Sequence, residues 1–155
     1  MDLFLYVRSG ELNKVIYMLR RGGDSPGAAL IFAAQYGQLN IVNYLLESGL
    51  VDPSICQNQA LRDAAEHGHL AVVERLLRDT RVDPSAEDSL AVGLAAREGH
   101  LAIVERLLQD KRVDPSAYDN FAVSQAAFYG HRAVVERLLQ DERVDPSAAE
   151  VPFID

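Results

Sequence analysis

His69, His100 and His131 recur every 31 residues, each directly after a glycine. Three imidazoles in phase invite a metal site. A zinc ion needs its ligands near 2 Å from one point. Stacked repeats would space the three rings by about 8–10 Å, the distance between neighbouring helices. The expectation is therefore imidazoles bonded to turn backbone, with no metal centre. Glu74, Glu105 and Glu136 beside Arg75, Arg106 and Arg137 are a second periodic set. Carboxylates that do acid–base work converge on one substrate with separated pKa values. These rows run parallel, so they read as a solvated face. Ser25, Ser54, Ser85, Ser116 and Ser147 sit in turns with no base beside them, and Gly22-Gly23 lacks the lysine and spacing of a phosphate loop. Cys56 is the single cysteine and has no basic neighbour in sequence. No catalytic residue, cofactor or metal is expected, and the chain is expected not to be an enzyme.

The same period organises everything else. Val-Asp-Pro-Ser occurs four times, beginning at Val51, Val82, Val113 and Val144. The pairs Ala33-Ala34, Ala64-Ala65, Ala95-Ala96 and Ala126-Ala127 keep the phase, as do Leu45-Leu46, Leu76-Leu77, Leu107-Leu108 and Leu138-Leu139. A fixed period of this size means stacked structural units instead of one closed core. Nearly half the 155 residues are apolar, which excludes a disordered chain. The net charge of −8 argues against nucleic acid and against an anionic membrane surface, both of which need clustered Lys and Arg. No apolar run reaches the roughly 20 residues of a membrane span. One cysteine allows no intrachain disulfide and fits a reducing compartment. A cytoplasmic protein is expected.

Within one unit, Ala60, Leu61, Ala64 and Ala65 fall on one stripe of a helix, which Asn58 is placed to cap. Gly68 supplies a left-handed stop. Leu70, Val72, Val73, Leu76 and Leu77 then form a second amphipathic helix. Arg75 and Asp79, Arg106 and Asp110, and Arg137 and Asp141 are spaced as i,i+4 ion pairs. Each Asp-Pro forces an extended connector whose carboxylate can accept from amides just downstream.

The run from Ala60 to Leu77 resembles the ankyrin repeat, and the resemblance covers almost the whole chain. It implies an all-α ankyrin-repeat solenoid of stacked antiparallel helix pairs, in one domain over 1–155. The units fall at 1–24, 25–54, 55–85, 86–116 and 117–147, followed by a tail at 148–155. The family's Thr-Pro-Leu-His start is replaced by Ala28-Ala29-Leu30-Ile31 and its counterparts, so its Thr–His bonding is lost. A period of 31 against the usual 33 shortens the finger connectors, which need no longer be β-hairpins. The Val-Asp-Pro-Ser variant looks like ankyrin arrays of protists and of the large DNA viruses that infect them. In a viral setting the host cytoplasm would be its compartment. The first unit is divergent, with Asp2 as helix cap and a shortened connector. The last drifts polar, with Arg132 where Leu39, Leu70 and Leu101 stand. The apolar tail Val151 to Asp155 is expected to fold back over the open end.

The resemblance implies binding of a partner protein on a concave face. Positions that vary between units while the frame repeats are the ones free to recognise it. By that criterion the partner-binding residues are Tyr36, Arg62, His67, Arg97, Tyr118, Phe121, Phe128 and Tyr129, types that dominate interface energetics. The competing reading of Tyr118, Phe121, Phe128 and Tyr129 is that they close the stack. A monomer is expected. The alternative function is a structural component that self-associates through its ends, for example in a virus particle.

Overall fold

The computed structural model describes residues 2–150. Among these lie ten α-helices, one short 3-10 turn and no strand. The chain divides into two compact units, Met1–Asp83 and Pro84–Asp155.

The first unit holds α1 (Leu3–Arg8), α2 (Leu12–Arg21), α3 (Pro26–Gln35), α4 (Leu39–Glu47), α5 (Ile55–Glu66) and α6 (Leu70–Leu77). They pair as α1 with α2, α3 with α4 and α5 with α6. The first helices α1, α3 and α5 pack in one row, and α2, α4 and α6 in another. The second unit repeats this with α7 (Ala86–Arg97), α8 (Leu101–Leu107), α9 (Ala117–Phe128) and α10 (Arg132–Leu138). There α7 packs on α9 and α8 on α10, and the 3-10 turn Pro146–Ala149 packs on α9.

The alanine stripe explains the tight first row. Ala33, Ala34, Ala64, Ala65, Ala95, Ala96 and Ala126 are all fully buried, because a methyl lets neighbouring helices approach. Leu45, Leu76, Leu107 and Leu138 fill the space beneath, also fully buried. Each such leucine stabilises the fold by about 1.5–3 kcal/mol. Asp2 caps α1 as expected, accepting from the Phe4 amide at 2.9 Å.

Each pair turns through a left-handed glycine. Gly37 has φ +67° and Gly99 +78°. The amide of the next residue then reaches back to the alanine stripe, Gln38 to Ala33 at 2.8 Å and His100 to Ala95 at 2.9 Å, which closes the helix C-terminus. The residue after the glycine also ties one pair to the pair before it. His69 Nε2–H donates to the Gln35 carbonyl at 2.8 Å, and Gln38 Nε2–H donates to the Arg8 carbonyl at 2.9 Å. A carbonyl only accepts, so the proton sits on Nε2 of His69. That nitrogen has no lone pair left for a metal. Imidazole and carboxamide do the same work here. His69→Gln should therefore leave stability unchanged, whereas His69→Ala should cost about 1–2 kcal/mol, read from urea unfolding midpoints.

The connectors are short, and left-handed turns stand where a hairpin finger would be. Asp52 accepts from the Ser54 amide at 3.0 Å and its hydroxyl at 2.8 Å; Asp114 and Asp145 do the same with Ser116 and Ser147. These bonds hold all three carboxyls below their ordinary range. Three consecutive non-glycine residues then turn left-handed: Cys56 to Asn58 with φ 49°, 57° and 61°, Glu87 to Ser89 with 53°, 51° and 61°, and Tyr118 to Asn120 with 51°, 52° and 62°. Such a conformation costs an L-residue about 1–2 kcal/mol.

The third residue of each triplet shows what offsets that cost. Asn58 Oδ1 accepts from the Asp83 amide at 2.9 Å, Ser89 Oγ from Asp114 at 2.8 Å, and Asn120 Oδ1 from Asp145 at 2.8 Å. Asn58 thus serves the next connector instead of capping its own helix. The sequence-based charge pairs also differ. Helix α6 ends at Leu77, so Asp79 lies beyond it. Arg81 binds Asp79 bidentately at 2.9 and 2.7 Å, and Arg75 donates to Asn43 at 2.8 Å. Arg112 on Asp110 and Arg143 on Asp141 repeat the fork. The expectation for Val151 to Asp155 lies outside the described residues.

Candidate functional site

The eight residues singled out from variation between repeats divide by what they touch. In the first unit Tyr36 is half-buried, packed edge-on against Phe4 at 6.0 Å with the Arg8 guanidinium 5.8 Å from its ring. Arg62 donates to the Cys56 carbonyl at 3.1 Å and so braces the left-handed connector. His67 is exposed at the end of α5; its Nδ1–H donates to the Asp63 carbonyl at 2.9 Å, and its ring stacks 6.4 Å from His69.

In the second unit Arg97 ends α7 and its Nε–H donates to Glu98 at 2.8 Å. Tyr118 is 56% exposed and is the first residue of its left-handed triplet. Phe121 packs over Gly93: a Cβ there would lie 2.6 Å from its ring. Phe121 thereby spends much of its area joining α7 to α9. The crevice beside it, lined by Ser89, Gly93, Pro115 and Tyr118, encloses about 10 Å³. That volume admits at most one water and no substrate. Phe128 and Tyr129 are different. They are 65% and 55% exposed, meet edge to face at 5.0 Å, and close α9 at its turn end. Tyr129 also stacks 6.5 Å from His131.

One titratable group on the first-helix row of the first unit stands out. Burial pushes the Asp63 carboxyl above its ordinary value, Glu66 adds to the shift, and His67, Gln59 and Arg62 oppose it. A raised folded-state pKa means the folded chain holds that proton better than the unfolded one. Stability from this group is complete at low pH and lost as pH rises through the raised value. Asp63→Asn should therefore raise the melting temperature near pH 7 and give no gain near pH 3. The Arg-bound Asp79, Asp110 and Asp141 have the opposite sign. Their carboxyls are lowered, chiefly by the arginine hydrogen bonds. Their contribution is present above the ordinary carboxylate range and lost on acidification.

Among the described residues no group of three or more His, Cys, Asp or Glu is placed to hold a metal ion, and no helix is long and apolar enough to cross a membrane. His69 bonds to turn backbone as expected. Two relations were missed by reasoning on residue types alone: the aromatic seat on Gly93, and the seating of Gln38, His69 and His131 on the turn glycine of the preceding pair. The second had a signal in the chain, since every turn glycine after the first is followed by Gln or His.

Paired helices joined by a glycine turn and stacked in two rows define a helical-repeat protein. A family model described as ankyrin repeats (3 copies) matches residues 3–88 and again 61–149, and the chain belongs to the ankyrin-repeat family. No curated protein matches it. Ankyrin repeats generally serve protein–protein interaction and are generally non-enzymatic.

Proposed function

We propose that this chain is a non-catalytic module that binds a partner protein through the turn-end surface of its first helices. The observation that carries this reading is the Phe128–Tyr129 pair, two large aromatics left exposed on a frame whose other apolar residues are mostly used in packing. Exposed aromatics beside arginine are the residue types that anchor interfaces. Arg97 stands at the position on α7 that Phe128 occupies on α9, and the two helices pack side by side. Within the first unit, His67 stands at the position after α5 that Tyr129 occupies after α9. Binding would proceed by rigid complementarity with little backbone change. The free thiol of Cys56 fits a reducing, cytoplasmic setting.

The test begins with a partner recovered from the source cell and identified by mass spectrometry. Affinity is then measured for the wild type and for Arg97→Ala with Tyr129→Ala. The double variant should bind at least about 2 kcal/mol more weakly. Unchanged affinity in a folded variant would exclude this surface.

A further inference from the structure

The turn glycines share one geometry, and three of them show what covers it. A Cβ built on Gly10 would lie 2.5 Å from Gln38 Oε1, one on Gly37 2.6 Å from His69 Nδ1, and one on Gly99 2.5 Å from His131 Nδ1. In each case a flat nitrogen-bearing side chain lies directly on the glycine. For Gln38 and His69 the side chain also donates to the carbonyl two residues before that glycine, Arg8 and Gln35 respectively. The molecule thus builds the same seat repeatedly and fills it with imidazole or carboxamide.

At Gly130 the seat is present and uncovered among the described residues. Gly130 has φ +76°, and a Cβ there would meet nothing within 4 Å. The carbonyl two residues earlier belongs to Phe128. The rim is the exposed Phe128–Tyr129 pair. Two occupants from the chain itself fit poorly. A second copy stacking in the same register would bring Glu11, the residue after its own turn glycine, onto the Phe128 carbonyl. Glu11 accepts from Ser9 and pairs with Lys14. A carboxylate facing a carbonyl sets acceptor against acceptor. The segment Val151 to Asp155 carries no imidazole or carboxamide.

We propose that the Phe128–Tyr129–Gly130 turn is a docking subsite for a partner protein that presents a histidine or glutamine side chain. The flat group lies on the Gly130 backbone beside the two aromatics and donates its N–H to the Phe128 carbonyl. This deepens the protein-binding reading above and rests on it.

The test uses the full chain, with amide shifts followed by NMR during titration with N-acetyl-histidine methylamide, the glutamine analogue and the glutamate analogue. Saturable shifts at Tyr129, Gly130 and His131 are expected with the first two and not with glutamate. They should vanish in Gly130→Asn, which tolerates positive φ and fills the seat. The same variant should bind an identified partner at least about tenfold more weakly, or about 1.4 kcal/mol. Equal response to all three probes, or full response in Gly130→Asn, overturns the subsite. So does covering of these amides by residues 151–155, seen as the same shifts on their deletion, or by a second copy, seen as shifts with protein concentration. If Gly130→Asn binds the partner normally while Arg97→Ala with Tyr129→Ala does not, the subsite fails and the protein-binding reading survives.

Discussion

Replacing Gly99 by alanine is expected to destabilise the chain by about 3 kcal/mol, against about 1 kcal/mol for the same change at Gly130. Both glycines are left-handed, with φ +78° and +76°, so both substitutions carry the same backbone penalty. They differ in what the new methyl meets. At Gly99 it would lie 2.5 Å from His131 Nδ1, whereas at Gly130 no atom of the described residues lies within 4 Å. The imidazole at Gly99 is held between two helical pairs and has little room to withdraw, so the clash adds about 1–3 kcal/mol. Urea unfolding of the two variants side by side checks this. Equal losses would mean that the imidazole seat has no part in holding the stack together.

Asn58→Ala should cost about 3 kcal/mol, and Asn58→Ser almost nothing. Asn58 is 6% exposed and its Oδ1 receives the Asp83 amide. Alanine would leave that amide without its partner, at about 1–3 kcal/mol. It would also put a residue less suited than asparagine at φ 61°. Serine at the corresponding place in the next repeat, Ser89, takes the Asp114 amide at 2.8 Å, so the shorter hydroxyl reaches well enough. Equilibrium unfolding of both variants decides the matter. A serine variant as unstable as the alanine one would show that the two connectors are not equivalent.

Much of the architecture could be read from spacing, because the repeat puts each residue type in the same environment several times. The alanine stripe, the buried leucines and the glycine stops all stand where periodicity places them. The left-handed triplets could not be read this way. Positive φ is normally announced by glycine, and Cys56-Gln57-Asn58 contains none. Its compensation, the Asp83 amide, arrives 25 residues later. The expected Arg75–Asp79 pair failed because the i,i+4 rule presumes helix through Asp79, while α6 stops at Leu77 and Arg81 is nearer.

The candidate surface was legible only in part. Variation between repeats picked out helix-end residues such as Phe128 and Tyr129, which are exposed. It could not separate Phe121, which lies on Gly93, from Phe128, which is exposed, since that difference depends on a glycine 28 residues from Phe121 in the neighbouring helix.

The claim at the centre is that the frame and the recognition surface are carried by different residues of the same repeats. It is tested most directly by measuring both properties on one variant, Arg97→Ala with Tyr129→Ala. The expected result is a loss of at least about 2 kcal/mol in partner affinity with at most about 1 kcal/mol lost in stability. A marked fall in melting temperature with affinity intact would contradict it, and would assign these side chains to closing the stack.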